Sequence, residues 1–222
     1  MEFDVNHIIE LIPELNTAFL QTLYMISVGL LVAVIFGLPI GILIFVTDKG
    51  LFLQNRFVNQ IVGFIVNMIR SIPFIILLVA LIPLTIKLTG STIGPKAASV
   101  PLSVAAIPFF ARLVETSLRK IEYGVIEAAI AAGGTPWMII KDVLLPEAKS
   151  GIISGITITV VSLVGTSAMA GVVGGGGIGD LAIRFGYYRY DDTIMITTVV
   201  ILIVLVQLIQ IIGDKIAKAV NK

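Results

Sequence analysis

Cysteine is absent from the 222 residues, and histidine occurs once. Disulfide scaffolds, thiolate metal sites and cysteine nucleophiles are thereby excluded, and one histidine cannot build a multi-histidine metal centre. Charge is scarce as well: Asp, Glu, Lys and Arg make up 13% of the chain, where a soluble domain carries about 25%. A net charge of +1 leaves no basic surplus to neutralise a phosphate backbone, so nucleic acid is not expected as a partner. No G-x-x-x-x-G-K-[ST] phosphate cradle occurs, and ATP cannot be held on this chain by that mechanism. The first 18 residues carry Glu2, Asp4, Glu10 and Glu14 but no Lys or Arg. That is the wrong sign for the start of a cleaved signal peptide, so the N-terminus is expected to be retained.

What the chain has instead is apolar length, with 57% hydrophobic residues and a mean hydropathy of +1.06. A helix needs roughly 20 apolar residues to cross about 30 Å of hydrocarbon, because every backbone polar group must be satisfied within its own segment. Five stretches qualify, at about 19–46, 61–86, 97–118, 151–173 and 193–213. The expected fold is therefore an all-α integral membrane protein of one transmembrane domain, 1–222, with five spans. An odd number of spans puts the termini on opposite sides, and the Lys/Arg bias of the short loops chooses between them. With the N-terminus outside, the inner side holds nine basic residues (Lys49, Arg56, Arg119, Lys120, Lys141, Lys149, Lys215, Lys218 and Lys222). The outer side then holds four: Lys87, Lys96, Arg184 and Arg189. The expected orientation is N-terminus outside, C-terminus inside.

This orientation makes the one long polar stretch, 119–150, cytoplasmic. Residues 122–132 are mostly helix formers, and Gly133 follows where a left-handed cap favours glycine. Thr135 can cap a second helix with Pro136 in its first turn, and Trp137, Ile140 and Leu144 give an apolar stripe until Pro146 ends the pattern. Such a hairpin can dock on another protein, or it can pack on the ends of its own bundle.

Within this stretch, Glu127, Ala128 and Ala129 are followed at fixed spacing by Gly133, then by Val143, Leu145 and Pro146. The pattern resembles the EAA loop of binding-protein-dependent ABC importer permeases, which reads Glu-Ala-Ala, three residues, Gly, nine residues, Ile-x-Leu-Pro. Val143 in place of Ile is the one departure. Similarity covers nearly the whole chain and is greatest to the methionine-import branch, through 70–78 (RSIPFIILL) and 167–190 (SAMAGVVGGGGIGDLAIRFGYYRY) as well as the loop. The resemblance implies that Glu127, Ala128, Ala129, Gly133, Val143, Leu145 and Pro146 form coupling helices seated in a groove of a separate ATPase. It also implies two ATPase copies carrying ATP and Mg, a second permease copy as a homodimer, and a binding protein outside that delivers methionine. No cofactor is expected on this chain itself.

Other features carry weaker signals. Gly174, Gly176 and Gly179 satisfy G-x-G-x-x-G, but they follow a membrane span and not a strand, so a flexible or close-packed turn is the expectation. Gly37 with Gly41, and Gly151 with Gly155, are G-x-x-x-G pairs that mark helix packing within one subunit or between two. Pro73 and Pro108 are expected to kink spans two and three. Arg70 would cost at least about 2.5–3.5 kcal/mol unpaired at the bilayer centre, so it either snorkels to the interface or serves the inner mouth of a pathway. Candidate pathway residues are Arg70, Ser71, Pro73, Ser167 and Met169, although core packing accounts for Met169 equally well. Arg112, Glu115 and Arg119, at i, i+3 and i+7, can pair along one helix face as a structural feature.

Two rival functions are weighed. An intramembrane serine enzyme would use Ser167 of Gly165-Thr166-Ser167, but the only histidine, His7, precedes the first span and no Lys lies inside one. An ion-coupled carrier lacks buried carboxylates for a relay, with Glu115 the single near-membrane candidate. An importer permease for another small amino acid remains the nearer alternative.

Overall fold

The computed structural model describes the backbone of residues 5–220 and the side chains of 10–220. The sequence expectations that involve Glu2, Asp4, the His7 side chain and Lys222 lie outside the described residues. The helices, in chain order, are α1 (Val5–Val32, continuing through a π-turn Ala33–Gly37 into Leu38–Val46), α2 (Arg56–Ser71), α3 (Phe74–Ala80), α4 (Ile82–Thr89) and α5 (Pro95–Leu118). They are followed by α6 (Tyr123–Ala131), α7 (Pro136–Met138, π-turn Ile139–Leu144, Leu145–Glu147), α8 (Lys149–Gly171), α9 (Gly177–Leu181 with π-turn Ala182–Tyr187) and α10 (Asp192–Val220). Among the described residues, four helices are long and apolar enough to cross a membrane, and a fifth span arises if α2 and α3 count as one broken crossing.

Proline accounts for where the helices differ from the sequence expectation. The expected span 61–86 is not one kinked helix. Ile72 precedes Pro73, a position disfavoured in α conformation, and Pro73 itself is extended (φ −55°, ψ 136°), so the chain turns by 103° between α2 and α3. Pro83 then opens α4, which closes on Gly90 at φ +75°. By contrast, Pro108 leaves α5 unbroken and Pro146 does not end α7. Each interior proline removes a donor and pushes its ring toward the carbonyl four residues earlier. Immediately before Pro39 and Pro146 the helix widens into a π-turn, 33–37 and 139–144, which gives the ring room without stopping the chain.

The chain divides into two compact units. In the unit formed by 32–71, 106–159 and 211–222, both G-x-x-x-G pairs face the C-terminal half of α5. A Cβ on Gly41 would lie 2.5 Å from the Ala111 carbonyl oxygen, and one on Gly151 would lie 2.8 Å from Ser117 Oγ. Both pairs thus mark packing within this subunit. Lipid tails are as apolar as leucine, so contact between helices rests on close van der Waals approach, which these glycines permit. Phe110, Ala111, Val114 and Leu118 fill that seam and are fully buried.

In the unit formed by 1–31, 72–105 and 160–210, Ala18, Ile178, Leu181 and Ile194 form a core. The glycine-rich turn after α8 is close-packed and not loose. The Gly94 N–H donates to the Gly174 carbonyl (2.8 Å). The Gly177 and Ile178 N–H groups, free at the start of α9, donate to Gln21 Oε1 (2.8 Å) and Thr22 Oγ1 (2.9 Å) of α1. A Cβ on Gly171 would sit 2.3 Å from the Asp180 backbone nitrogen, and one on Gly179 would sit 2.3 Å from Ala168 Cα.

Candidate coupling site

Helix α6 follows an extended Glu122 (ψ 132°) and ends in a Schellman turn. The Gly134 N–H donates to the Ala129 carbonyl (3.1 Å) and the Gly133 N–H to that of Ile130 (2.9 Å), with Gly133 at φ +82°. This is the left-handed cap expected from the sequence, and it satisfies carbonyls that a helix end leaves open. The Thr135 hydroxyl oxygen then accepts the Met138 N–H (3.3 Å), with Pro136 in the first turn of α7. The expected stripe of Trp137, Ile140 and Leu144 is split. The π-turn shifts the register so that Ile139 and Leu144 are buried, whereas Trp137 is 71% exposed.

The hairpin therefore presents much of its surface outward. In α6 only Ile126 is buried. Glu127, Ala128 and Gly133 are exposed, Ala129 is half-buried, and Val143 and Leu145 are half-buried beside an exposed Pro146. Ile130, Trp137 and Met138 add large exposed apolar area. Glu127 has no hydrogen bond or ion pair among the described residues. Exposed apolar area of this kind marks a surface that contacts another protein or a membrane.

Beside the hairpin lies a charged cluster. Glu115 of α5 is 4% exposed and is held from both sides. Arg112 Nη1 pairs with Glu115 Oε2, and Arg119 reaches Glu115 Oε1 through Nη2 at 2.9 Å and Nε at 2.9 Å. Arg119 Nη2 also bonds Asp48 Oδ2 at 2.7 Å, in the loop after α1. The Arg119 guanidinium, with the Lys49 N–H (2.7 Å), holds the Asp48 carboxyl below its usual range. At the other end, Arg112 Nη2 donates to Asn67 Oδ1 of α2 (2.9 Å). The half-buried Asp48 end, facing a largely exposed Arg119, contributes at most about 1 kcal/mol. Removing the buried Glu115 carboxylate alone would leave Arg112 without a carboxylate and Arg119 with Asp48 only, and because both arginines are partly exposed the loss is expected to fall below the roughly 3–5 kcal/mol of a fully buried broken pair. Sequence spacing exposed the Arg112–Glu115–Arg119 triplet, but it gave no signal for Asp48, Asn67 or Tyr123. Their contacts span 45 residues or more, for example between the Tyr123 hydroxyl and the Gly50 carbonyl oxygen that accepts it (2.7 Å).

The candidate pathway residues fall into two groups. Arg70 and Ser71 are exposed at the end of α2 and Pro73 at the break beyond it. Arg70 sits in the last helical turn, where the dipole favours a cation, and Ser71 Oγ donates to the Met68 carbonyl (2.7 Å). Ser167 and Met169 belong to α8. Ser167 is 2% exposed and its hydroxyl donates to the Val164 carbonyl (2.8 Å), while Met169 is 48% exposed.

The profile of the binding-protein-dependent transport system inner membrane component family matches residues 34–222. The chain belongs to that family. The matched stretch of this transport component contains the hairpin, the charged cluster and the glycine-rich turn. The component is 51% identical over 207 residues to the probable D-methionine transport system permease protein MetI of Vibrio cholerae, covering 93% of this chain and 92% of that protein. It is 43% identical over 211 residues to the methionine import system permease protein MetP of Bacillus subtilis, covering 95% of both. It superposes with a TM-score of 0.94 on a chain from an inward-facing conformation of the MetNI methionine ABC transporter, at 46% identity and with 96% and 99% of the two chains covered.

Proposed function

We propose that this transport component is the permease subunit of a methionine ABC importer, working as a homodimer with two copies of a separate ATPase and an extracytoplasmic binding protein. The observation that carries the reading is the outward-facing hairpin, with Glu127, Ala128, Ala129, Gly133, Val143, Leu145 and Pro146 at the family spacing and with no internal partner for Glu127 among the described residues. The methionine cargo is supported by the names of relatives that match over nearly their full length. The Lys/Arg bias supports an inner hairpin, with the N-terminus outside.

In this reading ATP and Mg bind the partner ATPase, whose closure pushes the hairpin and alternates access to a path lined in part by Arg70, Ser71, Pro73 and Met169, whereas Ser167, buried and bonded to Val164, packs within the subunit. Charge-poor spans suit a zwitterionic amino acid. The test is uptake of radiolabelled methionine by cells that lack their own methionine importers and express this chain with its ATPase and binding protein. Uptake is expected to survive collapse of the proton gradient while ATP is maintained. Loss on gradient collapse at constant ATP would favour an ion-coupled carrier, and uptake of a different small amino acid would replace the cargo.

A further inference from the structure

We propose that the charged cluster is a transmission brace: Tyr123, Asp48, Arg119, Glu115, Arg112 and Asn67 form a connected series that ties the hairpin to α2 and carries its displacement there. This rests on the coupling role proposed for the hairpin. Tyr123 is the first residue of α6, and although its ring is exposed, its hydroxyl donates to the Gly50 carbonyl at 2.7 Å. Gly50 and Asp48 share the short loop between α1 and α2, and Asp48 grips Arg119 at 2.7 Å. Arg119 holds Glu115, Glu115 holds Arg112, and Arg112 donates to Asn67 of α2 at 2.9 Å. The loop is fastened at its base as well, because Asn59 Nδ2 of α2 donates to the Ile44 carbonyl at 2.6 Å and the Asn55 N–H to the Thr47 carbonyl at 3.0 Å.

Two features distinguish a brace from simple stabilisation. Packing alone would be served at least as well by apolar side chains, since a buried ion pair gives back in desolvation much of what it gains by attraction. Arg112 Nε is moreover buried without an acceptor among the described residues, a cost that apolar packing would avoid. Directional bonds do what apolar contacts cannot, which is to fix distance and orientation among four separate segments. Helix α2 leads straight to Arg70, Ser71 and the break at Pro73, so displacement carried to Asn67 arrives one turn before the candidate pathway residues. Tyr123, Asp48 and Asn67 are thus positioning residues that touch neither ATP nor cargo.

The complete transporter is reconstituted in proteoliposomes, and ATP hydrolysed and radiolabelled methionine imported are measured in the same sample for wild type, Tyr123→Phe, Asp48→Ala and the double variant. Tyr123→Phe removes one hydroxyl from an exposed ring and Asp48→Ala one carboxylate from a loop, so both are expected to assemble. Methionine imported per ATP is expected to fall by about two- to thirtyfold in each, the span of coupling changes of residues along such networks. The double variant should lose little more than the worse single variant, because two breaks in one series are not additive. An unchanged ratio with normal wild-type uptake would overturn the brace alone. So would uptake and hydrolysis that fall in step with the amount of assembled complex. Absence of ATP-driven uptake by wild type would overturn the coupling reading and the brace with it.

Discussion

Glu127→Lys is expected to yield a chain that reaches the membrane at normal levels yet fails to retain its ATPase and to support ATP-driven uptake. Glu127 is exposed and has no partner among the described residues, so the substitution should change the stability of the isolated chain by no more than about 0.5 kcal/mol. In the docked interface proposed for α6, the same reversal replaces a buried carboxylate with a cation. The expected loss of 2–5 kcal/mol corresponds to an affinity reduction of roughly 30-fold to several thousandfold. Gly133→Val should act through geometry instead of charge. At φ +82° a β-branched residue costs about 1–3 kcal/mol, and the Schellman turn that sets the angle between α6 and α7 opens. Membrane levels by immunoblot, ATPase retention on affinity capture and uptake separate these effects. Normal retention and uptake in both variants would remove Glu127 and Gly133 from the coupling surface.

The second large effect is expected at the glycine-rich turn. Gly171→Ala or Gly179→Ala should prevent accumulation of folded chain, because the new Cβ would lie 2.3 Å from backbone atoms of Asp180 or Ala168. Flexible side chains can move aside, but here backbone faces backbone, so the cost is expected to exceed the 1–3 kcal/mol typical of overpacking. Gly165→Ala, on the same helix as Gly171, is the control. Nothing lies within 4 Å of its added Cβ, and alanine in a helix interior is favoured over glycine by about 0.5–1 kcal/mol. Size-exclusion profiles and thermal inactivation in mild detergent would read the difference. Equal behaviour of Gly165→Ala and Gly179→Ala would mean that the turn is not the tight lock described.

What could be seen in the sequence follows from the range over which each feature is determined. The hairpin was legible because a cap, a left-handed glycine and an N-terminal threonine are local chemistry, contained between Glu122 and Pro146. The long apolar runs of α1, α5, α8 and α10 were legible because a bilayer imposes length on each helix separately. Proline was harder. Pro73 separates two helices and Pro108 interrupts nothing, while Pro39 and Pro146 are absorbed by π-turns, and the outcome depends on how neighbouring turns can widen. The turn at Gly174–Gly179 could be read as mobile or close-packed, since glycine allows both, and Gln21 and Thr22 decide the matter from 156 residues away. In the charged cluster, the triplet on α5 showed in its spacing, whereas Asp48, Asn67 and Tyr123 join it only through the fold.

The most direct measurement is to solubilise membranes in mild detergent, capture this chain by a C-terminal tag, and determine the co-purifying subunits and their stoichiometry by mass spectrometry. An ATPase with Walker motifs at equal copy number, two of each, is the result expected of an importer core coupled through the Tyr123–Glu147 hairpin. Recovery of this chain alone, under conditions that preserve other membrane complexes, would contradict it.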